Sequence, residues 1–209
     1  MATSSINNIF LDLGGVLLDI DVAKTVTAYN AMRRPGAPEV DYHRESKDRW
    51  FSRLDCGEIE IDEFAQGLKD SFQLEGNLEE IKAVWASLLL NLFPGRTEAV
   101  QRLAQTHQVA LLSNTSRYHF HIYEPECRDM FGAMHHVFVS FELGVNKPNP
   151  AIYAKVLEKT GWKAEETLFL DDSLKNLEAA EAAGIQTLHI GKPEDFELIW
   201  ERLGLPEKA

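Results

Sequence analysis

Apolar residues fall into short unbroken runs in some stretches of the chain and into a three-to-four-residue rhythm in others. Residues 8–13 form a run that ends in an acid and two glycines, which predicts a buried strand opening into a loop at Gly14-Gly15. Runs at 109–112, 137–140, 167–170 and 186–190 predict four more strands, and helical patterns cover 97–105, 150–160 and 174–183. Strands alternating with helices specify an α/β protein: a doubly wound, Rossmann-like parallel sheet covered on both faces.

Between Asp21 and Leu92 the rhythm is helical and no strand is expected. A helix over 22–34 is halted by Pro35, Gly36 and Pro38, a second covers 39–53, and Asp55-Cys56-Gly57 makes a turn. Asp62 and Asn77 read as N-caps of two more helices, 63–72 and 78–90, before Pro94-Gly95 marks the return. The expected organisation is a core of residues 1–20 and 93–209, with residues 21–92 inserted as a four-helix cap.

At 209 residues the chain has room for one domain or a domain with an insert. A net charge of −12 argues against broad attraction to nucleic acid or to an anionic membrane. An anionic substrate would therefore need compensation by a metal ion or a fixed side-chain cation. Cys56 and Cys127 stand far apart and outside any C-x-x-C pattern, which suits a reducing cytoplasm better than a disulfide scaffold. His119/His121 and His135/His136 lack the spacing of a helical zinc pair. No run approaches membrane-spanning length, and the apolar stretch 9–18 is interrupted by Asp12 and lacks a basic flank, unlike a signal peptide.

The chemistry gathers at strand ends. Asp12 closes the first predicted strand, Ser113-Asn114 the second, and Asp171-Asp172 follows Leu170. In an open parallel sheet ligands bind outside the carboxyl ends of the strands, so these distant segments share one crevice. A carboxylate there can attack phosphorus and form an aspartyl-phosphate. Asp12, Asp171 and Asp172 supply the hard oxygen ligands that magnesium prefers. Ser113, Asn114 and backbone N–H groups near Gly14 are placed to hold phosphate oxygens, and Lys147, just ahead of a helix at Pro150, is the candidate fixed cation.

These residues resemble the haloacid dehalogenase-like hydrolase superfamily, whose four motifs fall in order on 9–16, 111–114, 147–153 and 169–173 followed by Asn176. The resemblance implies Asp12 as nucleophile and metal ligand, and Ser113, Asn114 and Lys147 as phosphate-binding groups. It also implies Asp172 as a direct magnesium ligand, Asp171 acting through water, and the Gly14 carbonyl as a further ligand. Within the superfamily, the segments 12–14, 19–21, 57–59 and 112–115 are most similar to small sugar-phosphate phosphatases, the subgroup that includes alpha-D-glucose-1-phosphate phosphatase. The implied partner is a small phosphate ester, with neither nucleic acid nor membrane, and the chain is expected in the cytoplasm as a monomer or weak homodimer.

One departure from the pattern carries weight. Most phosphatases of this superfamily hold a second aspartate two residues after the nucleophile, where it protonates the leaving group; here that position is Gly14. Loss of general acid–base catalysis costs about 10²–10⁴-fold. Either the leaving group is a good one, such as the anomeric oxygen of a sugar 1-phosphate, or another acid reaches in, or turnover is slow. Asp19, Asp21, Asp55 and Glu58 are candidates, the last two on a cap loop (54–61) expected to touch substrate. A metal-independent 2-haloacid dehalogenase and a catalytically weak phosphometabolite-binding protein remain as alternatives, although a dehalogenase has no use for paired acids at 171–172. Trp50, Phe51, Phe64 and Trp85 are expected to pack the cap helices rather than stack on sugar, and Arg117 and His119 stay open as substrate contacts.

Overall fold

The computed structural model describes residues 5–42 and 50–206. Five parallel strands form the central sheet: β1 (Asn8–Leu11), β4 (Gln108–Ser113), β5 (His136–Val139), β6 (Thr167–Asp171) and β7 (Gln186–His189). A separate antiparallel pair joins β2 (Leu18–Ile20) to β3 (Leu89–Leu92). The helices are α1 (Val22–Ala31), α2 (Trp50–Asp55), α3 (Ile61–Phe72), α4 (Leu78–Ala86), α5 (Arg96–Leu103), α6 (Arg117–Ala133), α7 (Ser140–Leu143), α8 (Pro150–Thr160), α9 (Leu174–Ala182) and α10 (Leu198–Leu203).

Strand order β5-β4-β1-β6-β7 puts β1 at the centre, with β4 and β6 on either side of it. Leu11 pairs with Leu111 on one flank and Leu170 on the other, so the three strand ends lie side by side. Successive side chains of a strand face opposite ways. Ile9 and Leu11 therefore pack with Val109, Leu111, Leu168 and Leu170 under α5, α6 and α10. Phe10 packs with Ala110, Leu112 and Phe169 under α8 and α9. This is the doubly wound sheet that the sequence predicts, its central strand β1 buried on both faces because both are covered.

A third apolar cluster belongs to the helices that follow β2. Tyr29, Phe51, Leu54, Phe64, Leu68, Phe72, Ile81 and Trp85 form its buried heart. Phe51, Phe64 and Trp85 meet one another with ring centroids 5.1–5.5 Å apart, in the packing role expected for them. Asn77 caps α4 with a reciprocal box: its side chain takes the Glu80 N–H while Glu80 takes the Asn77 N–H.

The structure corrects several element boundaries. The last helix of the segment stops at Ala86, and its expected continuation becomes β3, with Leu18 opposite Leu92 and Ile20 opposite Leu89. An apolar run of this length fits either state, and pairing with β2 decides it. Asp62 is no cap: α3 begins at Ile61 behind Glu60, and Asp62 lies in the first turn, ion-paired to Lys82. The first helix ends at Ala31, and the expected helix 39–53 is irregular over 39–41, falls outside the described residues at 43–49, and is helical from Trp50 to Asp55. The 17-residue α6 was absent from the sequence pattern. Its buried positions are His119, Tyr123, Cys127 and Met130, a helical spacing carried by residues that are not aliphatic, and the helix runs on through Pro125, a residue that argues against a helix in sequence.

Trp85 is 2% exposed and also stacks on His119 of α6, 4.6 Å between centroids. Trp85→Ala is expected to destabilise the protein by about 3–5 kcal/mol in urea unfolding.

Candidate active site

Asp12 leaves β1 with its N–H bonded to the Leu170 carbonyl at 2.9 Å, so its main chain continues the sheet while its side chain reaches the crevice. Asp171 is the last residue of β6 and Asp172 the next. The three acids offer carboxylate oxygens all within 4.8 Å of one another. Three anions this close repel strongly in a low-dielectric setting unless a cation separates them.

Lys147 is that cation. Its Nζ lies 2.9 Å from Asp12 Oδ1 and 2.6 Å from Asp171 Oδ2, with the side chain only 1% exposed. It sits on the loop between α7 and α8, held by Asn114 from the end of β4. The Asn114 amide donates to the Lys147 carbonyl and its oxygen accepts the Lys147 N–H, both at 2.8 Å. Asp171, wholly buried, further accepts from Ser173 N–H at 2.8 Å and from Asn176 Nδ2 at 2.9 Å, so both its oxygens are engaged. Asp172 keeps an open side toward the cleft. Gly15 has a φ of +75°, and a Cβ there would stand 2.7 Å from Asp172 Oδ2, so only glycine lets this loop and Asp172 share the space.

Burial raises the Asp12 carboxyl from 3.8 to about 7; Lys147 pulls it down, while Asp171 and Asp172 push it up. Burial would lower Lys147, but Asp12 and Asp171 outweigh it and the net shift is upward. Desolvation of its covered side, then Asp171, raises Asp172. Three carboxylates thus face one ammonium, a charge imbalance and a hard-oxygen donor set that fit a divalent cation.

A cavity of about 530 Å³ lies over these groups, and Asp12, Gly14, Asn114, Lys147, Asp172 and Asp55 all line it. Ser113 faces a smaller space of about 80 Å³ that shares Gly14, Ile20 and Asn114 with the larger one. Asp171 lies beneath, hidden from both. Glu58 is not brought to the cleft; it is exposed and paired to Arg53 at 3.5 Å. Arg117 is also turned elsewhere, 3.6 Å from Glu60 and stacked over Phe141. His119 is buried against the Trp85 carbonyl at 2.9 Å, burial lowering its pKa to about 4. Tyr42, Ser52 and Asn146 join the cavity wall without any sequence pattern to announce them, beyond Asn146 adjoining Lys147.

Fold and site together define a doubly wound α/β protein that holds a carboxylate against a buried lysine at the ends of its central strands. The chain matches the haloacid dehalogenase-like hydrolase family over residues 6–184, and it belongs to that family. A D-ribitol-5-phosphate phosphatase from Bacteroides thetaiotaomicron is 28% identical over 195 residues, 87% of this chain and 90% of that protein. A HAD family enzyme of the same organism, solved with magnesium and inorganic phosphate, superposes at a TM-score of 0.75 and 26% identity, over 88% of this chain and 94% of that one. An L-2-haloacid dehalogenase from Xanthobacter autotrophicus shares the fold at a TM-score of 0.61 and 19% identity, over 88% and 77% of the two chains. Among the described residues no helix is long and apolar enough to cross a membrane.

A carboxyl raised to about 7 in the fold and near 3.8 when unfolded keeps a proton that the unfolded chain releases. Its contribution to stability is therefore lost as pH rises from about 4 to 7. Asp12→Asn is expected to raise the unfolding free energy at pH 8 in metal-free buffer by on the order of a few kcal/mol, seen as a higher melting midpoint, with the gain vanishing near pH 4. Paired thermal scans of the two proteins measure this.

Proposed function

We propose that this protein is a magnesium-dependent phosphatase of small phosphorylated metabolites, a sugar or related polyhydroxy phosphate, working through an aspartyl-phosphate on Asp12. The observation that carries the reading is the buried Lys147 bridging Asp12 and Asp171 with Asp172 beside them at the cleft. Dehalogenation by a carboxylate has no need of the second and third acids. Relatives that include a D-ribitol-5-phosphate phosphatase support the phosphate reading.

In this reading Asp12 and Asp172 hold the magnesium together with the Gly14 carbonyl. Asp171, whose oxygens are already engaged, acts from one remove. Bound there, the ion supplies charge neutralisation and polarises the phosphate. Lys147 fixes the Asp12 carboxylate so that one oxygen faces the incoming phosphorus, and with Ser113 and Asn114 it receives the phosphate oxygens. Residues 21–92 serve as a cap over a core of 1–20 and 93–209, excluding water and selecting the leaving group. A cavity of about 530 Å³ suits a small molecule, and Ser52, Asn146, Asn149 and Ser173 along its wall suit a hydroxylated one.

Purified protein is expected to release orthophosphate from sugar and polyol phosphates with magnesium, to lose activity in chelator, and to fall to background on Asp12→Asn. Halide release from 2-haloacids without metal would reverse the reading. Tight binding of phosphate esters with no Asp12-dependent turnover would make the protein a sensor instead.

A further inference from the structure

The phosphatase reading leaves a proton unaccounted for. Position 14 has no side chain, and the space is not spare: a Cβ there would stand 3.0 Å from Ile20 Cδ1. The acid that carries this proton must come from elsewhere on the cavity wall. Of the four acids that the sequence offers, three are placed otherwise. Asp21 caps α1 through the Lys24 N–H at 2.7 Å, Glu58 is exposed beside Arg53, and Asp19 lies outside the cavity lining. Asp55 lines the cavity with Asp12 and Lys147.

Resting on the phosphatase reading, we propose that Asp55 is the proton donor to the leaving group and the base for the hydrolytic water, replacing the acid that Gly14 lacks. The protein builds a firm mount for it. The Ser140 hydroxyl accepts the Thr115 N–H at 2.9 Å and donates to the Asp55 carbonyl at 2.6 Å, tying Asp55 to the loop that follows Ser113-Asn114. One turn earlier on the same helix, Ser52 accepts from Asn146, the neighbour of Lys147, at 3.1 Å. Gly57, at φ +69°, lies so close to the core that a Cβ would meet the Phe141 carbonyl oxygen at 2.5 Å. The end of α2 is thereby fastened to the two loops that carry Asn114 and Lys147.

Among the described residues the Asp55 carboxylate forms no ion pair, and burial alone raises it to about 7. The titratable groups that feel it are Tyr42, Tyr123 and its neighbour Cys56, and Asp12, Asp172, Lys147 and Lys175 line the same cavity. Tyr42, on the same wall as Lys175, also carries a proton, but burial and then Asp55, Asp172 and Asp12 push its pKa far upward, so it keeps that proton. Asp55 near neutrality serves as acid and base in turn. As Asp12 bonds to phosphorus, the ester P–O bond breaks onto the leaving oxygen, which takes the Asp55 proton and departs as an alcohol. The Asp55 carboxylate then takes a proton from water as its oxygen attacks phosphorus. The bond to Asp12 breaks onto Asp12, and orthophosphate leaves with Asp55 protonated again.

The test is leaving-group dependence read through kcat/KM, which reports the first phosphoryl transfer and excludes breakdown of the aspartyl-phosphate. Nitrophenolate departs without a proton; an alkoxide does not. In Asp55→Asn, kcat/KM is expected to fall about 10²–10⁴-fold for an alkyl or sugar phosphate and to stay within about threefold for 4-nitrophenyl phosphate. A parallel fall on both substrates, or none on either, overturns the proposal. The wild-type protein gives a second readout independent of any folding defect. The ratio of alkyl to nitrophenyl kcat/KM should drop about tenfold per pH unit above about 7, and a flat ratio also overturns it. Wild-type protein inactive on both esters with magnesium would instead refute the phosphatase reading itself.

Discussion

One buried ammonium organises the site. Two carboxylates on adjacent strand ends, Asp12 and Asp171, could not approach as they do without Lys147 between them. Removing all three charges from water is expensive, and neighbouring groups offset part of that cost: Asn176 and the Ser173 N–H serve Asp171, and Asn114 holds the lysine backbone. The ends of three neighbouring strands, β4, β1 and β6, are thus joined through one residue that belongs to none of them, β1 and β6 by its side chain and β4 by its backbone.

The loop that carries Lys147 also receives the helical segment. Asn146 bonds Ser52 while Ser140 bonds the Asp55 carbonyl, so the end of α2 on the cavity wall is indexed to the loop of the buried cation. His119 and Trp85 make a second seam, a neutral buried imidazole stacked on indole, where α6 meets α4. Polar bonds set the register of the two parts near the chemistry, and aromatic packing supplies the area farther away.

The sheet and its acids were legible for one reason. A strand buried on both faces reads as a continuous apolar run, and a charged residue at its end stands out. Asp12, Asp171 and Asp172 were visible on that ground, and Lys147 through its place in an ordered set of motifs. Ser140 and Ser52 were not, because each is a single polar residue whose partner lies tens of positions away. β3 was hidden by a leucine run that propensity alone leaves undecided, and α6 by a helical face built from His, Tyr, Cys and Met. Asp55 stood between these cases: named as one candidate of four, it is separated from the others only by tertiary placement.

The β2–β3 pair has a further consequence. The whole helical segment leaves the core beside Leu18–Ile20 and returns beside Leu89–Leu92, two strands about 4.8 Å apart. Seen from the sheet it is a long loop closed on a two-strand stem, and the entropy of closing a loop grows only slowly with its length. Asp12, Ser113, Asn114, Lys147 and Asp172 all lie outside the stem, while Ser52 and Asp55 lie within it. A change of length between Ile20 and Leu89 that spares the pairing leaves the stem's register untouched. In the proposed roles, the phosphate cradle and the group that serves the leaving oxygen are therefore inherited as two separate stretches of one gene.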